Sequence, residues 1–333
     1  MFKQQPSIVI VTVTTRLQRV LERWGTRGQA KFVLNQATAH ESLAADTDKS
    51  RGQAAVATAA NSEADFATYE TEEARYNAAV ETVRRSLDLG HPLVTVRREH
   101  LPNFEFRNAC LVIAVGPDGL VANAAKYVGG LPIIGINPDP TRNDGVLLPF
   151  AAEDARSIAR DTLAGRARTE SVTMAEARLR DGQRLLAFND LFIGRRSHVS
   201  ARYSLRWRDT SETQSSSGVI VATGTGSTGW LSSVFRMTSG VAEWTGGTAG
   251  RPIRLGREER RLAWVVREPF QSRHSAADLV AGTIDAAEGL QIDSLMPQDG
   301  VIFSDGVEDD TIEFTSGTSV RITVADERAN LVV

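Results

Sequence analysis

The stretch from residue 111 to residue 126 constrains the fold more than any other. Leu-Val-Ile-Ala-Val runs unbroken into Gly116-Pro117-Asp118-Gly119, and a helix-compatible segment ending at Lys126 begins at once. An apolar, β-branched run closed by a turn reads as a strand, so the stretch is a strand, a tight loop and a helix start. A helix N-terminus presents unpaired backbone N–H groups, which favour a bound phosphate. A carboxylate at that tip, Asp118, is then a candidate base or metal partner, because it would otherwise repel the phosphate.

Apolar runs at residues 93–96 and 131–136 lie on either side and alternate with helical or loop segments. That order predicts a parallel α/β sheet in the first half of the chain. Ligands of such sheets bind beyond the carboxyl ends of the strands, where the 116–119 loop lies. Residues 7–13 read as a first strand, 15–24 as an amphipathic helix with Leu17, Val20 and Leu21 inward, and 31–34 as a second strand. Residues 37–62 are rich in Ala, Thr, Ser and charge, the composition of an insertion to which no function is assigned. Phe66, Tyr69, Tyr76, Val80, Val83 and Leu87 then recur at helical spacing and are expected to face the core, with Gly90-His91-Pro92 ending the helix.

After Phe150 the pattern changes. Short apolar runs with polar breaks at 185–193, 201–207, 217–222, 262–266 and 290–295 predict a β-rich second half. Runs at 301–303, 311–314 and 320–324, with Ser316-Gly317 between the last two, add hairpin-like strands. The expected fold class is therefore α/β plus β. An α/β domain over 1–150 carries the 37–62 insertion, and a β-rich, β-sandwich-like domain over 151–333 has last strands that pack back on the first.

The bulk chemistry excludes several classes. A formal net charge of −3 gives no electrostatic reason to expect nucleic acid or an anionic membrane as partner. The arginine clusters at 195–196, 202–208 and 251–261 read as solvated surface. The single cysteine, Cys110, excludes an internal disulfide and a Cys-based zinc site, and it precedes a strand as a buried structural thiol would. The histidines show no paired spacing, so His198 and His274 are assigned to hydrogen bonding and no side-chain metal site is expected. No Gly-x-Ser-x-Gly elbow of a serine hydrolase occurs. The apolar run at 8–13 is too short to span a membrane and lacks the flanks of a secretory signal, so a reducing, cytoplasmic location is expected.

Three more segments carry chemistry. Residues 218–230 repeat the strand-loop-helix pattern, with Gly224, Gly226 and Gly229 for close backbone approach and Thr225, Ser227 and Thr228 for hydroxyls. The Lys-Ser/Thr pair of a P-loop is missing from it. Asn189-Asp190 interrupts an apolar run, and two polar side chains there need partners of some kind, structural or ligand. Ser304-Asp305-Gly306 taken alone is a turn.

Taken together, the order of Gly-Pro-Asp-Gly (116–119), Asn189-Asp190, Thr225-Gly-Ser-Thr-Gly-Trp230 and Asp305-Gly306 resembles the NAD kinase family. The resemblance runs from about residue 93 to the C-terminus. It implies an N-terminal α/β domain, a β-rich C-terminal domain and a site in the cleft between them. It implies further that Asp118 activates the adenosine ribose 2′-hydroxyl of NAD for attack on the γ-phosphate of ATP, with Gly116 and Gly119 in the binding loop. Asn189 and Asp190 would bind dinucleotide hydroxyl or amino groups. Thr225, Gly226, Ser227, Thr228, Gly229 and Trp230 would hold adenine and ribose, and Asp305 would join the nucleotide site. Mg²⁺ would accompany ATP, and homodimers or homotetramers are usual.

The chain departs from the family pattern at identifiable points. Pro117 replaces a glycine, removing an N–H and fixing φ near −65°. Leu120 stands where a hydroxyl residue often follows, Gly229 and Trp230 replace Ala-Tyr, and Ser217 replaces an Asp. Residues 137–150 form a longer, proline-rich connection. These departures leave two other readings open: a dinucleotide-binding protein without turnover, and a sugar, polyol or lipid kinase on the same scaffold.

Overall fold

The computed structural model describes residues 5–33, 66–248 and 250–333. The 37–62 insertion lies outside them. Ile8 to Val11 are fully buried and β-branched, and they form the centre of β1 (Ser7–Thr12). The chain then enters α1 (Arg16–Trp24) through a capping box, in which the Thr15 hydroxyl accepts from the Gln18 N–H and the Gln18 side chain accepts from the Thr15 N–H. Residues 31–33, expected as a strand, are instead helical within a short segment over 27–33. Thr26 decides this: its hydroxyl accepts the Gln29 N–H at 3.2 Å and its carbonyl the Ala30 N–H, which starts a helix.

The long helix α2 (Phe66–Ser86) leads to β2 (Leu93–Arg97), and β3 (Ala109–Val115) feeds α3 (Asp118–Ala125). β4 (Pro132–Ile136) and α4 (Ala155–Leu163) follow. The strands β2-β1-β3-β4 are neighbours in that order and all parallel. Helices cover both faces, with α3 against one and Val83, Leu87, Ala155 and Ala159 of the α2–α4 side against the other. The order reverses between β1 and β3, which opens a crevice at their carboxyl ends.

The rest of the chain is β-rich, as the apolar runs predict, and its strands pair antiparallel with one another. It comprises β5 (Thr169–Leu179), β6 (Arg184–Ala187), β7 (Asp190–Arg195), β8 (Ala201–Trp207), β9 (Thr210–Ser216) and β10 (Val219–Ala222). After α5 (Trp230–Trp244) come β11 (Arg261–Val266), β12 (Ala281–Asp285), β13 (Leu290–Ser294), β14 (Gly300–Ser304), β15 (Val307–Glu313) and β16 (Ser319–Val332). Strand β16 aligns with β13 at its start, with β5 along most of its length and in parallel with β4 at Asn330–Leu331. A ten-stranded sheet therefore runs from β2 to β9, and a six-stranded sheet, β12-β11-β10-β7-β14-β15, packs on its antiparallel part. Trp264, Leu191 and Ile302 from one sheet meet Tyr203, Ile292 and Ile322 from the other in a shared core. No helix among the described residues is long and apolar enough to cross a membrane.

The run expected as one strand over 185–193 is two. It breaks at Phe188-Asn189, and β6 and β7 join different sheets. The cause lies far along the chain, in the Asp305 carboxylate described below.

Candidate functional site

The turn between β14 and β15 places Asp305 in the left-handed region at φ 55°, followed by Gly306 at φ 68°. The Asp305 side chain points inward and accepts the backbone N–H groups of Phe188 (3.0 Å), Asn189 (2.6 Å) and Asp190 (3.3 Å). Three donors converging on one carboxylate replace a strand ladder at that point, which is why the chain can leave one sheet and enter the other. Burial raises the Asp305 pKa, while the nearby Lys126 and the three N–H groups work against the rise. Asp190 is 8% exposed, and burial with the Asp305 charge pushes it up to about 7.

The 224–229 loop is seated on the same segment. The Asn189 carbonyl accepts the Thr223 N–H at 2.8 Å, and the Thr223 hydroxyl donates to the Phe188 carbonyl at 2.6 Å. A Cβ on Gly226 would lie 2.1 Å from the Asn189 oxygen, so only glycine permits this approach. Ser227 and Thr228 donate to the Gly224 and Thr225 carbonyls at 2.6 and 3.3 Å, closing the loop on itself. The Thr225 hydroxyl oxygen is buried with no hydrogen-bond partner. Gly229 donates its N–H to the Gly226 carbonyl and is exposed. Trp230 turns away from this cluster. Its ring stacks on Phe192 at 5.6 Å and on Phe303 at 6.5 Å, with the Arg267 guanidinium 5.4 Å over it.

Asp118 opens α3 at the reversal point of the parallel strands, and its Oδ1 accepts the Leu147 N–H at 2.6 Å. The long 137–150 connection supplies that donor. It is pressed against β4 so closely that a Cβ on Gly135 would lie 2.0 Å from the Leu147 carbonyl oxygen. At the other end of α3, the Lys126 ammonium donates to the Ser304 hydroxyl at 2.7 Å and lies 3.5 Å from the Asp310 carboxylate. The Lys126 side chain is 1% exposed; burial lowers its pKa, and Asp305 and Asp310 counteract that. Tyr127 donates its hydroxyl to Asp310 as well. Pro117 and Asn123 of the helix and Gly306 and Val307 of the hairpin line one cleft of about 690 Å³.

Direct contacts thus tie the helix of Asp118 to the hairpin of Asp305, Asp305 to Asn189 and Asp190, and Asn189 to Gly226. No family model matches the chain. It is 25% identical over 276 residues to a probable NADH kinase of Oryza sativa subsp. japonica, a match covering 73% of this chain and 78% of the rice protein. It is 33% identical over 137 residues to the NAD kinase of Burkholderia cenocepacia, covering 37% of this chain and 42% of that protein, so less than half of the bacterial relative's length is spanned. Its fold resembles yeast NADH kinase complexed with NADH, with a TM-score of 0.54 at 14% identity, covering 99% of this chain and 84% of that one. It also resembles an NAD kinase from Archaeoglobus fulgidus in complex with ATP, with a TM-score of 0.50 at 17% identity, covering 76% and 87%. In fold and in these partial sequence matches the chain is similar to NAD and NADH kinases.

Within the NAD kinase fold, the divergent residues have local causes. Pro117 sits at the N-cap of α3 with φ −73° and ψ 164°, a conformation that its ring favours. Leu120 is buried against Gly116, where an added Cβ would come within 2.9 Å of the leucine Cδ2, while Gly119 has open space around it. Lys126, Tyr127, Asp310 and the Leu147 N–H went unread in the sequence. A basic residue at the buried end of an apolar helix was the one available signal for Lys126; Leu147 acts through its backbone and carries none.

Proposed function

We propose that this chain is an ATP-dependent kinase of NAD or a closely related nucleotide. The observation that carries the reading is the Asp305 carboxylate gathering the 188–190 segment, onto which the 224–229 loop packs, while Lys126 fastens the helix of Asp118 to the same hairpin. Under this reading the α/β part up to residue 150 and the β-rich part from 151 form the two sides of a nucleotide cleft. Asp118 takes the proton of the ribose 2′-hydroxyl as that oxygen attacks the γ-phosphorus, the bond from the γ-phosphorus to the bridging oxygen breaks, and ADP leaves. The Leu147 N–H holds one carboxylate oxygen, which orients the other toward the acceptor. Asn189, Asp190 and Thr225 orient the acceptor, and the unpartnered Thr225 oxygen is suited to a nucleotide hydroxyl or amino group.

Among the described residues no cluster of three or more His, Cys, Asp or Glu side chains could cage a metal ion. Mg²⁺ would therefore ride on the donor phosphates with most of its water, neutralising their charge. A cytoplasmic homodimer or homotetramer completes the reading. The test is incubation of the pure protein with Mg-ATP and NAD. Asp118→Asn is expected to cut NADP formation by about 10²- to 10⁴-fold, while NAD binding measured by calorimetry persists. Unchanged turnover would remove Asp118 from the mechanism, and NAD binding without product from the unaltered protein would indicate a non-catalytic dinucleotide-binding protein.

A further inference from the structure

We infer that the cleft between α3 and the 306–310 hairpin is the subsite for the donor's polyphosphate chain, gripped by Arg98, Arg19 and Asn123. The inference rests on the kinase reading and adds Arg98 and Arg19, which none of the motif segments contains. The cleft lies at the carboxyl ends of β1 and β3, and Pro117, adjacent to Asp118, forms part of its wall. Asn123 lines it from α3, is only 3% exposed, and its Nδ2 is buried with no hydrogen-bond partner. A buried amide without an acceptor is costly, and a phosphate oxygen in the cleft would supply one.

Two cations face the same space. Arg98, just after β2, and Arg19, on α1, have no ion-pair partner among the described residues, although most arginines near them do. The Arg98 charge reaches Lys126 and helps to lower its pKa, so the guanidinium faces the buried cluster and not open solvent alone. Acids line the cleft too, and most are already occupied. Asp310 is held by Lys126 and Tyr127, and Glu99 accepts the Thr14 hydroxyl at 3.2 Å and lies 3.9 Å from Arg97. Glu22 remains at the exposed rim. Guanidinium groups match phosphate oxygens in geometry as well as charge, and the amide adds a neutral donor close to Asp118.

The experiment uses Arg98→Ala and, as a second variant at an exposed position, Arg19→Ala. Each is assayed for the KM of ATP and of NAD and titrated calorimetrically with inorganic tripolyphosphate in the absence of dinucleotide. The subsite predicts a rise of about tenfold or more in the KM for ATP, an NAD KM within about twofold of the parent, and weakened tripolyphosphate binding in both variants. Equal rises in both KM values, or tripolyphosphate binding unchanged by both substitutions, would overturn it. Loss of ATP affinity with tripolyphosphate binding intact would place the arginines on the nucleoside end, which also overturns it. If the parent makes no phosphorylated product yet binds tripolyphosphate through Arg98, the kinase reading fails and the subsite stands.

Discussion

Asp190 shows how one side chain can register the state of the whole site. Burial and then the Asp305 charge push its pKa up to about 7 from an ordinary 3.8. The native protein therefore binds a proton that the unfolded chain gives up at lower pH. The stability this contributes is fully present below about pH 4 and is lost as the pH rises through 7. Asp190→Asn keeps the shape and removes the ionisation, so it should flatten the fall in stability between pH 4 and 7. At pH 8 it should stabilise the protein by on the order of a few kcal/mol. Some slope should remain, because Asp305 is shifted in the same direction. Denaturant titrations at pH 4, 6 and 8 measure this directly, and an unaltered slope in the variant would place the titrating group elsewhere.

Among the elements, helix α3 and the loop at 224–229 are positioned by contacts that no local pattern encodes. Lys126→Met would leave Asp305 and Asp310 without their cation inside the protein, and should cost about 3–5 kcal/mol in denaturant unfolding. A loss within the range of a surface pair, under about 1 kcal/mol, would show that the ammonium is not needed there. Gly226→Ala drives a methyl group into the Asn189 carbonyl, so NAD affinity should fall at least tenfold while the circular dichroism spectrum keeps its native form. The strand-loop-helix segments around Asp118 and at 218–230 were legible in the sequence because hydrophobic runs, glycine loops and helix starts are local signals. The strands β5, β9 and β12 were not, since Thr210–Ser216 is almost wholly polar and is a strand through its pairing with β8. The break at Phe188-Asn189 depends on a carboxylate more than a hundred positions away. Asn123 and Lys126 likewise read as ordinary helix residues until the hairpin covers them.

At the scale of the whole molecule, β16 joins the two halves. Its first residues pair with β13 in the antiparallel part, and Asn330 and Leu331 pair in parallel with Pro132 and Ile133 of β4. The ten-stranded sheet therefore passes from the α/β half into the β-rich half without an edge between them. The Asn330 side chain donates to the Gly130 carbonyl at 2.7 Å, and Leu331 and Ala329 are buried in the core that also holds α3. A seam made of shared ladder and shared core cannot open without exposing both, so the two halves should unfold together. Far-ultraviolet circular dichroism reports all strands and helices, whereas tryptophan fluorescence of a variant that keeps only the buried Trp264 of the five tryptophans reports the sandwich core. The two probes should give coincident urea transitions with a single midpoint. Deleting residues 328–333 removes the β4 pairing and half of the β5 ladder, and should lower that midpoint steeply or prevent folding. A truncated chain that unfolds in two steps, with the tryptophan transition unmoved, would show instead that the sandwich is stable by itself and that β16 only tethers the α/β half to it.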